Sequence, residues 1–183
     1  MRLILNSFLL CLCFSVSAQQ NNSLKSDIQL LRNSPGKIIK SKIIFEDRFT
    51  GISSDIGKIF LIQVFEFNGT DTLKGIELNG NITEPMGMHS DLRRKYDVIL
   101  DYSELDALLG WFALVKSEIS TGRSSDKEQL TYSPMKGNIL FRYFKDNFEI
   151  QFDCNDENSV LQISIRQMEK FIKDLNEIER WNK

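Results

Sequence analysis

The stretch from Val98 to Ile119, VILDYSELDALLGWFALVKSEI, indicates a short strand that runs directly into an amphipathic helix. Asp101 is predicted to be the N-cap, because its carboxylate can accept hydrogen bonds from the unpaired N–H groups of the first turn. Glu104, three residues later, completes a capping box. One face of the helix is apolar at helical spacing, through Leu105, Leu108, Leu109, Phe112 and Val115. Trp111 and Leu114 widen this face, so we expect the helix to be mostly covered.

The same pattern returns near the C-terminus, where Ser164 and Gln167 repeat the capping box before a second amphipathic helix. The apolar face of that helix carries Ile165, Met168, Phe171, Ile172, Leu175 and Ile178. The two stretches align without a gap and pair Leu109 with Ile172, so both residues are expected among the most buried. Two interpretations remain open. Either the chain holds an internal pseudo-repeat whose helices are related by an approximate two-fold axis, or two capped helices look alike by coincidence.

Strand-like periodicity precedes each of the two helices. Lys58 to Phe67 is apolar on both faces and is predicted to be a central strand. Asn68-Gly69 indicates a hairpin, whereas Asn79-Gly80 is expected to end the next strand before a polar excursion to Lys95. The resulting order is ββββα-ββββα. This order predicts an α+β fold, with an antiparallel β-sheet of about eight strands and two amphipathic helices.

The N-terminal segment has the pattern of a secretory signal peptide over residues 1–18. Arg2 is followed by an apolar run and by small residues at Val16-Ser17-Ala18. Residues 19–36 are expected to form a partly ordered tether, and residues 37–183 a single α+β domain. We therefore expect an exported protein, periplasmic or extracellular. Bulky Leu10 and Leu12 before Cys11 and Cys13 argue against lipoprotein anchoring.

Removal of that signal would leave Cys154 as the single cysteine, so no intramolecular disulfide is expected. The formal net charge of the chain is −2, and the sequence shows no extended basic run. This composition argues against nucleic acid as a partner. The apolar run of the signal is too short to span a bilayer. No transmembrane segment is expected in the mature chain either.

Four stretches carry a resemblance to a known family: Gly57 to Ile59, Asp101 to Leu109, Gly137 to Ile150 and Ile163 to Leu175. In this arrangement the chain resembles a family of uncharacterised exported bacterial proteins with two strand-rich units, each closed by a capped amphipathic helix. The chain departs from the family pattern in a longer excursion from Gly80 to Lys95. The resemblance implies the architecture and no activity, because the family has no established one.

Nucleophilic catalysis finds little support in the residue pattern. His89 and Cys154 are predicted on different elements, and no serine stands in a G-x-S-x-G context. Cys154 continues an alternating apolar face and is expected to be buried. We therefore expect a protein that is not an enzyme and binds no cofactor.

The acidic residues have structural explanations of their own. The carboxylates at 101, 104 and 106 begin a helix, although a glycosidase-like pair stays open because separation in space is invisible in sequence. The acidic loop from Asp153 to Glu157 lacks the glycine and the distant glutamate of an EF-hand loop. It is better explained as a solvated turn.

Met86, Met88 and His89 form the one suggestive ligand cluster, since two thioethers and an imidazole suit Cu(I). A long loop pinned by apolar methionines explains the same residues without metal.

The leading functional hypothesis is a non-catalytic exported domain that binds a macromolecular partner, an unknown protein or envelope component. The alternative is a carrier of an apolar ligand or lipid, which the many phenylalanines suggest.

Overall fold

The computed structural model describes residues 25–52, 55–66, 69, 72–84, 92–122, 129–144 and 147–181. The first unit consists of β1 (Ile39–Thr50), β2 (Ile56–Glu66), β3 (Thr72–Glu84), β4 (Leu92–Asp101), a 3₁₀ turn (Tyr102–Glu104) and α2 (Leu105–Thr121). The second consists of β5 (Leu130–Tyr132), β6 (Leu140–Phe144), β7 (Asn147–Gln151), β8 (Val160–Ile163) and α3 (Ile165–Arg180). A short helix, α1 (Asp27–Arg32), precedes β1.

The described strands divide into two antiparallel sheets of four strands each: sheet 1 has the order β1-β2-β3-β4 and sheet 2 the order β5-β6-β7-β8. The predicted α+β class and the order ββββα-ββββα are confirmed, because each meander leads from its last strand into a helix. An approximate two-fold axis between the units stays a prediction. Among the described helices, none combines the length and the apolar character of a membrane-spanning segment.

The main core lies between the two sheets and the helices α2 and α3. Phe112 of α2 and Phe171 of α3 both contact Phe148 of sheet 2, with ring centroids 5.4 and 6.4 Å apart. Phe171 also meets Phe49 of β1 edge-on, at 5.1 Å. These tilted and edge-on ring pairs stabilise the core beyond simple burial. They join both sheets to both helices.

The prediction that the second strand is buried on both faces is confirmed. Ile59 and Leu61 belong to the main core, whereas Phe60 and Ile62 on the opposite face belong to a second apolar cluster. Ile28 of α1 is fully buried in that second cluster. A continuous apolar run is therefore required in β2, since each face packs against its own core.

Helix α1 lies in the segment for which only a partly ordered tether was expected. Ser26 and Gln29 form a complete capping box, in which each side chain accepts from the other residue's backbone N–H at 3.1 Å. Gly75 of β3 leaves room for Ile28, because a Cβ at this glycine would overlap the isoleucine side chain. Local capping and this close approach together hold α1 on the outer face of sheet 1.

The predicted capping box at Asp101 is wrong, whereas the N-cap at Ser164 is confirmed. Asp101 has extended backbone before the 3₁₀ turn, but its side chain makes no bond to that turn. Glu104 is buried and accepts a hydrogen bond from the Tyr132 hydroxyl at 3.1 Å. Ser164 accepts from the N–H of Gln167 at 3.4 Å. Distant residues bind both acidic groups of the first box, since Asp101 accepts from the N–H of Asp27 and Glu104 accepts from Tyr132.

The third strand does not end at Asn79-Gly80, as the sequence suggested, but continues to Glu84. Gly80 lies inside the strand, and its lack of a side chain is explained by the Phe152 ring, which would come within 2.6 Å of a Cβ atom at this position. Asn79 donates to Asp97 on β4 at 2.7 Å and so links the two strands. Packing, rather than a turn, explains this Asn-Gly pair.

Two predictions of burial on α2 are corrected. Leu108 is fully buried, whereas Leu109 packs only at the margin of the core. Leu114 is 61% exposed, so the covered face is narrower than predicted. The expected burial of Ile172 is confirmed. The helical period alone does not say which edge of an apolar face meets the core.

Candidate binding site at the free edge of sheet 1

The order of sheet 1 places β1 at an edge, and α3 covers the C-terminal half of this strand. Lys170 of α3 lies 2.7 Å from the carboxylate of Asp47. Gln167 accepts a hydrogen bond from the N–H of Thr50 at 3.4 Å. These contacts close the edge of the sheet near Thr50 to any further strand.

The N-terminal half of β1 is exposed instead, and we call residues 38–43 the free edge. Ile38 is 69% exposed and Ile43 is 56% exposed. A register shift between Ile43 and Phe45 separates the free edge from the half covered by α3. Such a bulge bends the strand and locally disrupts its pairing.

The backbone direction along the free edge follows from the antiparallel ladder. Gly51 donates to the carbonyl of Asp55 at the hairpin between β1 and β2. Alternation from this pair, carried through the one-residue register shift between Ile43 and Phe45, directs the N–H groups of Lys40 and Lys42 toward β2. Ser41, between them, directs its N–H and C=O groups away from the sheet. The free edge therefore offers the backbone groups that an added strand would require.

Lysines surround the free edge on the face that continues the main core. Lys42 is the cross-strand neighbour of Gln63 on β2, and Gln63 is in turn the cross-strand neighbour of Lys74 on β3. Lys40 lies over the ring of Phe65, with its Nζ atom 5.7 Å from the ring centroid. Lys40 and Lys42 therefore place two positive charges on one face of the free edge, in a chain whose formal net charge is −2.

A cleft of about 300 Å³ lies at the other edge of sheet 1, beside β4. Asp97 and Asp153 both line this cleft. The Asp97 carboxylate accepts from Asn79, and the Asp153 carboxylate accepts from the side chain of Asn138. Each carboxylate therefore has a structural partner of its own.

The acidic loop is a hydrogen-bonded turn in the structure. Asp153 accepts from the N–H of Asn155 at 2.9 Å, and Asp156 accepts from the N–H of Asn158 at 3.0 Å. Within the described ranges, no three histidine, cysteine, aspartate or glutamate residues lie close enough to hold a metal ion. Backbone and side-chain donors of the domain together account for the carboxylates of Asp153 and Asp156.

Cys154 is exposed in this turn, which corrects the prediction of burial. Strand β7 ends at Gln151, so the alternating apolar face stops before the cysteine. Desolvation, together with the charge of Asp153, raises the pKa of the Cys154 thiol. A raised pKa disfavours the thiolate and does not suit a nucleophile.

The predicted Cu(I) ligands Met86, Met88 and His89 lie outside the described residues, so the metal site stays a prediction. The carrier hypothesis requires an apolar cavity between the helices and the sheet. The described rings occupy this region: Trp111 meets Phe112 edge-on, with ring centroids 4.9 Å apart, and lies tilted against Phe148 at 5.9 Å. Packing of this kind gives the carrier hypothesis no support.

No protein-family model, curated protein or solved structure matches the chain.

Sequence reasoning missed the free edge as a functional candidate. The period-two pattern from Ile39 to Ile43, with Lys40 and Lys42 on one face, indicates a strand and nothing about its place in a sheet. What the sequence does not contain is the strand order, which decides whether β1 is central or at an edge. The assignment also depends on α3, because this helix covers one half of β1 and leaves the other half open.

Proposed function

We propose that this chain is a non-catalytic binding domain that takes up an extended segment of a partner protein beside the free edge. The observation that carries the proposal is the half-covered strand β1. Its C-terminal half is closed by α3, whereas residues 38–43 present exposed isoleucines and outward backbone groups. In strand addition, main-chain hydrogen bonds supply affinity and alternate side chains supply specificity.

The domain acts outside the cytoplasm in this proposal, and its partner is a protein of the cell envelope. Support comes from the signal-like pattern of residues 1–18, which precede the described residues. Catalysis is not part of the proposal, because the carboxylates of the β4 cleft and of the acidic loop are engaged by amide and backbone donors. Apolar-ligand transport is not part of it either, since aromatic rings fill the region between helices and sheet.

A panel of three labelled peptides tests strand addition. Each peptide alternates valine with a second residue, which is glutamate, threonine or lysine. Binding to the ¹⁵N-labelled chain is followed by NMR. We expect at least one peptide to shift the amide resonances of residues 39–43 and to slow hydrogen exchange at Ser41.

A matched pair of variants isolates the backbone contribution. Ser41→Pro removes an outward N–H without removing a bond to β2, and proline is tolerated on edge strands. Ser41→Ala keeps this N–H group. We expect the alanine variant to bind as the wild type does and the proline variant to lose binding, with circular dichroism verifying that both fold. If none of the peptides perturbs residues 39–43 of the wild type, the proposal is wrong.

A further inference from the structure

We infer that the partner segment is acidic, with carboxylates at alternate positions that lie opposite Lys40 and Lys42. This inference rests on the proposed function and adds the chemistry of the partner. The occupant is an extended protein segment that alternates acidic and aliphatic residues.

The first argument is the charge on one face of the free edge. An added strand would place its side chains beside those of β1, with directly opposite Cβ atoms about 4.5–5.5 Å apart. Lys40 and Lys42 are exposed and share one face, because their partners on β2 are Phe65 and Gln63. Residues opposite these lysines are therefore best matched by aspartate or glutamate.

The second argument is the apolar character of the opposite face. Ile39 packs against the cluster that holds Ile28, and Ile43 on the same face is 56% exposed. Aliphatic side chains of an added strand would extend this row and bury more of Ile43. Because successive side chains of a strand point to opposite faces, the partner segment would alternate acidic residues beside the lysines with aliphatic residues beside the isoleucines.

The third argument is against a second copy of the chain as the occupant. Antiparallel pairing of two free edges about Ser41 would place Lys40 of one copy opposite Lys42 of the other. Like charges directly opposite one another destabilise a strand pair, and edge lysines are a common means of preventing association between sheets. The same lysines that oppose self-pairing attract an acidic strand.

The peptide panel described above measures the charge preference. We expect the glutamate peptide to bind most tightly, the threonine peptide less tightly, and the lysine peptide weakest. Lys40→Glu combined with Lys42→Glu should weaken binding of the glutamate peptide by about tenfold, since two attractive cross-strand pairs become repulsive. Lys116→Glu, on the exposed side of α2, changes the charge of the chain elsewhere and should leave binding unchanged. Added salt should weaken the glutamate peptide more than the threonine peptide.

Three outcomes would overturn the inference. The threonine peptide could bind residues 39–43 as tightly as the glutamate peptide, which would leave strand addition intact and remove the acidic preference. A scrambled peptide with the same glutamates in one block could bind equally well, which would indicate charge attraction without pairing. A single-stranded oligonucleotide that competes at the same lysines with equal affinity would identify a nucleic acid instead. Failure of all the peptides would contradict the proposed function itself.

Discussion

The carboxylate of Asp101 accepts hydrogen bonds from the backbone N–H of Asp27 at 3.0 and 3.1 Å, although the two residues are 74 positions apart. Lys136 joins this pair, with its Nζ atom 2.6 Å from Asp27 and 3.4 Å from Asp101. The residue that sequence reasoning assigned to its own helix thus holds the first turn of α1. This bond fixes α1 to the end of β4.

Asp101→Ala should lower the free energy of unfolding by about 2 kcal/mol, because a buried, charge-assisted hydrogen bond is lost. Urea denaturation measures this cost, and hydrogen exchange should show faster exchange at the Asp27 amide. Asp106→Ala, an exposed acid in the first turn of α2, is the control and should cost less than about 1 kcal/mol. Equal costs for the two variants, without a change at Asp27, would contradict the assignment.

Two neighbouring leucines on α2 should respond differently to truncation. Leu108→Ala is expected to cost roughly 2–5 kcal/mol through lost burial and a residual cavity. Leu109→Ala should cost clearly less, since this side chain lies at the margin of the core. Thermal and urea unfolding of both variants give the comparison. The structural assignment of the buried face fails if Leu109 is the more sensitive position.

Replacement of two glycines by alanine should have opposite effects on stability, because packing requires a glycine at position 80 and nothing requires one at position 110. Gly80→Ala should destabilise the fold by about 1–3 kcal/mol, because the added methyl overlaps Phe152. Phe152→Leu in the same chain should make the Gly80 substitution less costly. Gly110→Ala on α2 meets no atom within 4 Å and should stabilise the fold by about 0.5–1 kcal/mol. Denaturation midpoints of the four variants test this, and a neutral Gly80→Ala would contradict it.

Tyr96 should control the ionisation of Asp156. The Tyr96 hydroxyl donates to this carboxylate at 2.8 Å and, with the N–H of Asn158, holds the pKa of Asp156 below its usual value. The ionised carboxylate therefore stabilises the native state fully when the pH is above the usual pKa of an aspartate. This contribution is lost as the pH falls through the lowered pKa of the native state.

Tyr96→Phe should raise the pKa of Asp156 and move the onset of acid unfolding to higher pH. NMR titration of the Asp156 carboxyl carbon measures the first effect, and circular dichroism against pH measures the second. Tyr102→Phe, whose hydroxyl bonds to the carbonyl of Glu179, is the matched control and should leave the titration unchanged. An unaltered titration in the Tyr96 variant would show that the hydroxyl does not set this pKa.

Local sequence patterns predicted the helices and strands correctly where the spacing of apolar residues matches the faces that are buried in the fold. The doubly apolar run of β2 became a strand buried on both faces, and the cap at Ser164 formed as expected. The capping box of α1 was not predicted, although Ser26 and Gln29 have the spacing that such a box requires. These features depend on neighbours within a few residues, which is why the sequence alone can specify them.

Predictions failed where a distant residue supplied the partner. Asn79-Gly80 has the composition of a turn, yet Phe152 requires a glycine within the strand. Glu104 has the position of a capping acid, yet Tyr132 provides its hydrogen bond. The competing partner lies far along the chain in both cases, so local propensity could not reveal it.

The sequence by itself determined the α+β class, the order of the elements and the apolar faces, because periodicity and capping are encoded between near neighbours. Tertiary structure alone decided the division into two sheets, the capping of α1 by Asp101 and the exposure of residues 38–43. The candidate site belongs to this second group. A strand becomes a binding edge only through what packs beside it, and α3 reaches β1 from the far end of the chain.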